Sequence, residues 1–123
     1  MAYFLKLILS LLTISFLVCF KAEAKDCSYP QSLMTWGQEM PLYMTVVKNK
    51  SCAVLVLSTG QTGVDIAMPA TNGVAKALPN GARYIPNKNF VGNDEFLFVR
   101  NGIDRYGNPK ESRVRVHVSV VNK

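Results

Sequence analysis

One histidine, one tryptophan and eight acidic residues in 123 positions leave little from which to build a reactive centre. A histidine acting as a base needs an orienting partner and a nucleophile beside it, and nothing around His117 suggests either. The adjacent pair Asp94-Glu95 lies in a strand pattern, where neighbouring side chains point to opposite faces, so it cannot serve as a glycosidase pair. No Cys-x-x-Cys spacing occurs, and two cysteines with one distant histidine do not make a zinc site. The run Ser58-Thr59-Gly60-Gln61-Thr62-Gly63 has no lysine after it and reads as a turn, not a phosphate loop. Calcium asks for six to eight oxygen ligands, and the loop Asn101–Asn108 offers few and carries Arg105 among them. These absences argue against an enzyme, a metal site and a cofactor.

The first residues are unlike the rest. Met1 to Lys6 carries one lysine, Leu7 to Phe20 is almost wholly apolar, and Lys21-Ala22-Glu23-Ala24 follows. A basic start, an apolar centre and an Ala-x-Ala end are what a signal peptidase reads. The expected leader is residues 1–24, a cleavable helix, with residues 25–123 as the mature chain. A membrane anchor is the alternative, but the apolar run falls short of the ~20 residues a spanning helix needs. Val18 before Cys19 departs from a lipobox, so Cys19 reads as an ordinary leader residue. No stable membrane insertion is expected after cleavage, and the chain should reach the periplasm or the cell exterior.

The mature chain keeps Cys27 and Cys52. An even count in an exported chain favours a disulfide, because an oxidising compartment lets it persist; a pair of buried thiols is the alternative. Loss of the leader takes the formal charge from +6 to +5. The basic residues, Arg100 among them, are scattered rather than clustered. They read as solvated surface, and no nucleic-acid partner is expected.

No helical period stands out. Short apolar runs alternate with turn signals, as in a sandwich or barrel. Strands are expected at 42–47, 52–57, 64–68, 74–78, 82–85, 95–100 and 112–121. Cys52–Leu57 is continuously apolar and suits a strand covered on both faces. A long loop is expected over 101–111. In the last strand Val114, Val116, Val118 and Val120 form one row, while Arg113, Arg115, His117 and Ser119 form the other. Period two places the valines in the core and His117 on the solvent side. Leu97 and Val99 form a second apolar face behind Phe96 and Phe98. Either that strand is central and covered on both sides, or Leu97 and Val99 offer an interaction face. Trp36 and Tyr29 read as core aromatics or as sugar-stacking residues.

The segment from Gly81 to Phe98 resembles the bacterial immunoglobulin-like, cadherin-like domains. Their recurring pattern is Tyr-x-Pro, a short spacer, Phe-x-Gly-x-Asp-x-Phe-x-Tyr/Phe and a closing strand of alternating valine. Tyr84, Pro86, Phe90, Gly92, Asp94, Phe96 and Phe98 occupy those positions, and Val114–Val120 closes the domain. The resemblance covers roughly residues 64–121. It implies an all-β sandwich of about seven strands in a single domain over 25–123. Each motif residue also has a structural role independent of the family. Pro86 ends a ladder, Phe90 plugs one end, Gly92 permits an unusual backbone angle, and Asp94 accepts backbone N–H groups at the corner.

Three features depart from the family: one copy instead of a tandem array, a cysteine pair, and Val99-Arg100-Asn101-Gly102 where an acidic residue is common. The expected function is a non-enzymatic module that holds an envelope protein or a cell-surface polymer. Two alternatives stand beside it. One is a carbohydrate- or cell-wall-binding domain. The other is an inhibitor of an extracytoplasmic enzyme, using Tyr106 at a loop tip.

Overall fold

A computed structural model describes residues 26–30, 37–56 and 60–123. The expected leader, Cys19 and Trp36 lie outside the described residues. Among the described residues eight strands run in chain order: β1 Cys27–Ser28, β2 Glu39–Val47, β3 Cys52–Leu55, β4 Gln61–Met68, β5 Gly73–Leu78, β6 Gly81–Pro86, β7 Gly92–Ile103 and β8 Pro109–Val121. They form a five-stranded sheet, β1-β2-β8-β7-β4, and a three-stranded sheet, β3-β6-β5.

The expected all-β class holds, with eight strands in place of seven. The extra strand is the two-residue β1, which pairs antiparallel with β2. It is held by the disulfide from Cys27 to Cys52, with Cα atoms 5.4 Å apart, and by the Val47 amide donating to the Asp26 carbonyl at 2.9 Å. The bridge joins β1 of one sheet to β3 of the other.

Alternation builds the core. Leu42, Met44 and Val46 of β2 face inward with Val114, Val116, Val118 and Val120 of β8 and Phe96 and Phe98 of β7. They pack against Cys52, Val54, Ala82 and Tyr84 of the smaller sheet. The Tyr84 and Phe96 rings are nearly parallel, with centroids 5.8 Å apart. Strands β2 and β8 thus give one side to the core and one to the surface, as two packed layers require.

Several strand expectations change. The loop expected over 101–111 is a hairpin: β7 runs on to Ile103, β8 begins at Pro109, and Gly102 pairs with Lys110. Only Asp104–Asn108 turns. Leu55 is half exposed, so β3 is an edge strand with one buried face and is not covered on both. Arg100, expected on the surface, is fully buried as the third residue of the row begun by Phe96 and Phe98, and burial lowers its pKa. Leu97 and Val99 are buried as well, at 6% and 9% exposure. Strand β7 lies between β8 and β4, so the first of the two readings of that strand describes it. Arg115 stands opposite Leu97, and Arg113 opposite Val99. Aliphatic arginine stems cover apolar neighbours in such pairs, and little of either side chain is left for a partner.

The motif residues gather at one end of the sandwich. Asp94 accepts hydrogen bonds from the Thr71 amide at 3.0 Å, the Asn72 amide at 2.9 Å, the Tyr84 hydroxyl at 2.8 Å and its own neighbour's amide, Glu95, at 2.8 Å. One carboxylate therefore ties β7 to β6 and to the β4–β5 turn. Phe90 packs on the core, and Gly92 has φ of 142°, where a Cβ would lie 3.2 Å from the Phe90 ring. Asn49 and Asn89, both with positive φ, exchange hydrogen bonds at 2.8 and 3.2 Å and fasten the β2–β3 turn to this corner.

Candidate functional site

The outer face of the five-stranded sheet follows from the register. Strand β2 runs parallel to β8, and β8 antiparallel to β7, so outward side chains line up in rungs across three strands. The first rung is Thr45, Ser119 and Asn93. The second is Tyr43, His117 and Glu95. The third is Pro41, Arg115 and Leu97, and the fourth Glu39, Arg113 and Val99.

The charged side chains of this face neutralise one another. The Arg115 guanidinium donates to Glu95 at 2.6 Å and to Glu39 at 2.7 Å, joining the two flanking strands across β8. Those two bonds hold the Arg115 pKa above its usual value. His117 Nδ1 lies 3.9 Å from the second Glu95 oxygen, and the His117 ring stacks on Tyr43 with centroids 5.0 Å apart. Tyr43 is 62% exposed. Glu39, Arg115, Glu95, His117 and Tyr43 thus form one continuous chain of contacts ending in an exposed aromatic ring.

An open groove of about 760 Å³ begins at that ring. It runs from Tyr43 and His117 over the first rung to Thr71 and Asn72 of the β4–β5 turn. Its volume lies within the ~300–1,000 Å³ of small-ligand sites. Its wall at Asn72 is fixed by Asp94, which lines the groove's inner side. Burial alone would raise the Asp94 pKa, but the bonds from Thr71, Tyr84, Glu95 and Asn72 outweigh it and hold the carboxyl below its usual range. Burial, reinforced by the Asp94 carboxylate, pushes the Tyr84 phenol well above its own. Asp94 is therefore ionised and engaged with backbone and phenol donors, and Glu95 is engaged with Arg115.

The opposite pole carries the β7–β8 hairpin. Asp104 accepts from the Tyr106 amide at 2.9 Å and the Asn108 amide at 2.8 Å, and Lys110 lies 3.7 Å from its other oxygen. The Asn108 bond, opposed by slight desolvation and helped by Tyr106 and Lys110, keeps the Asp104 pKa low. Its oxygens shape the turn. Tyr106 is 76% exposed, with the Arg105 guanidinium 5.2 Å from its ring centroid. Among the described residues, no group of three or more His, Cys, Asp or Glu is placed to hold a metal ion. Tyr29, weighed as core or sugar-stacking, accepts a hydrogen bond from the Leu55 amide at 3.3 Å through its hydroxyl. It therefore caps part of the β3 edge.

No protein-family model and no curated protein matches the chain. Among solved structures it is similar to the crystal structure of a sialyltransferase from Photobacterium damsela, at 9% identity and a TM-score of 0.38. That likeness covers 68% of this chain and 18% of the other. A similarity of that size carries neither fold nor activity across.

Leu97 and Val99 carry a signal in the sequence as a possible interaction face, whereas Tyr43, Thr45, Asn93 and Ser119 carry none as a site. The alternation in β8 already set Ser119 and His117 outward. What the sequence did not contain was the parallel pairing that brings Tyr43 and Thr45 beside them.

Proposed function

We propose that this chain is an exported, non-enzymatic module of the bacterial immunoglobulin-like, cadherin-like type, which holds a protein or polymer partner in the cell envelope through the groove between Tyr43 and Asn72. The domain type is supported by the Tyr84–Phe98 motif together with the strand order, in which the first long strand lies parallel to the last. The Cys27–Cys52 bridge is in keeping with an oxidising compartment. The observation that carries a binding role is the engagement of Asp94 and Glu95. The Asp94 carboxyl, held below its usual range by its donors, is a poor proton acceptor at neutral pH, and the bonds of both carboxylates keep the groove's walls in place.

The test is a photoreactive residue at position 119, introduced into the tagged protein in cells, followed by mass spectrometry of the adducts. A reproducible adduct with one envelope protein or one wall polymer is expected. A substrate turned over by protein of constant specific activity through successive purification steps would overturn the non-enzymatic part. Adducts no richer at position 119 than at a control position on β5 would overturn the groove.

A further inference from the structure

Resting on that reading, we infer that the ligand of the groove is an uncharged glycan. The first rung offers two hydroxyls and an amide, Thr45, Ser119 and Asn93, with Asn72 on the facing wall. Hydroxyls and carboxamides both donate and accept, which is the pattern that sugar hydroxyls and acetamido groups require. An anionic polymer instead needs free cations. Arg115, the cation paired with the groove's Glu95, is also held by Glu39, so with the buried Asp94 the groove has a negative balance. The protein's basic excess therefore does not reach this site, and a phosphate- or sulfate-bearing chain would be repelled from it.

The aromatic end supports the same ligand class. Tyr43 is exposed, with one face stacked on His117 and Glu95 beside His117. An aromatic face is negative at its centre and packs against the C–H face of a pyranose. A ring already stacked on a neighbour has less rotamer freedom to lose on binding. The wall at Asn72 is fixed by Asp94. The shallow, open shape suits an extended chain lying across the strands more than a small molecule enclosed on all sides.

The experiment titrates the isotopically labelled exported protein with chitotetraose, maltotetraose and a heparin tetrasaccharide, following backbone amides by NMR. One or both neutral sugars should shift the amides of Thr45, Asn72, Asn93 and Ser119, and heparin should not. Tyr43→Ala and Asn93→Ala should each weaken that binding at least about five-fold while leaving the thermal midpoint nearly unchanged, since both side chains lie outside the core. Heparin shifting these amides more strongly than the neutral sugars would overturn the inference. So would shifts confined to other residues, unaltered affinity in both variants, or no shift with any probe up to about 10 mM, a range that captures weak ligands. In the last case a protein adduct from position 119 would leave the broader binding role standing, so the two failures are separable.

Discussion

Replacing Asp94 tests the part of the structure on which both the fold and the groove depend. In Asp94→Ala the Tyr84 hydroxyl, on a side chain with no exposure, loses its acceptor, and the Thr71 and Asn72 amides lose theirs. A hydrogen bond to a charged group contributes about 1.5–3 kcal/mol net, and a buried donor left unsatisfied costs about 1–3 kcal/mol. The bonds share one acceptor and do not add, so the expected loss is about 3–5 kcal/mol, a large part of the ~5–15 kcal/mol that holds a domain of this kind folded. Tyr84→Phe, which removes only the hydroxyl, should cost about 1–2 kcal/mol. The double variant should be less destabilised than the sum of the two by about 1–2 kcal/mol.

The pH dependence follows from the direction of the Asp94 shift. The folded carboxyl sits below its unfolded value of ~3.9, so its contribution is complete above that value and disappears as pH falls through the folded pKa. Wild-type protein should therefore lose stability below about pH 4, and Asp94→Asn should flatten that limb. Urea denaturation with the disulfide intact, read at neutral pH and across the acid range, measures both quantities. A loss under about 1 kcal/mol in Asp94→Ala, or an acid limb unchanged in Asp94→Asn, would refute the reasoning.

Four further outcomes are expected. Reducing the Cys27–Cys52 bridge, whose cysteines are 25 positions apart, should cost about 3.5 kcal/mol by the chain-entropy relation, seen as a drop in thermal midpoint with dithiothreitol. Intact mass of the exported protein should fit residues 25–123 less two hydrogens, and a mass that retains residues 1–24 would remove the leader. Gly81→Ala should destabilise by more than about 2 kcal/mol, because a Cβ there would enter the Val54 carbonyl where β3 meets β6; calorimetry checks it. Arg115→Met, by contrast, should cost no more than about 1 kcal/mol in urea unfolding, since its ion pairs are solvent-facing.

What could be read from the chain was local. The valine row of β8 announces its own faces because one residue in two must meet the core. The motif from Tyr84 to Phe98 announces a corner because proline, glycine and aspartate each restrict the backbone in a known way. Lengths were misread where turn-forming residues lie inside strands. Asn101-Gly102 and Asn108-Pro109 look like punctuation, yet cross-strand pairing between β7 and β8 carries through the first and begins at the second. Arg100 was read as surface because charge usually lies there, and its neighbours in the row, Phe96 and Phe98, were the contrary signal. The groove was not legible at all. Its rungs require β2 to lie against β8, and nothing in either segment names the other.

That same pairing bears on how the chain is assembled. Each β2 residue meets a β8 residue 74 positions later, from Glu39 with Arg113 to Val47 with Val121. A chain made from its N-terminus holds β2 without this neighbour until β8 has been made, whereas the Cys27–Cys52 bridge can close much sooner. Contacts so distant in sequence make folding slow. Strand β8 is also the middle member of its sheet, with β1 and β2 on one side and β7 and β4 on the other. A stop codon near Pro109 would therefore not trim an edge. It would divide the larger sheet into two unconnected pairs, and remove the seam along which two segments 74 positions apart are joined.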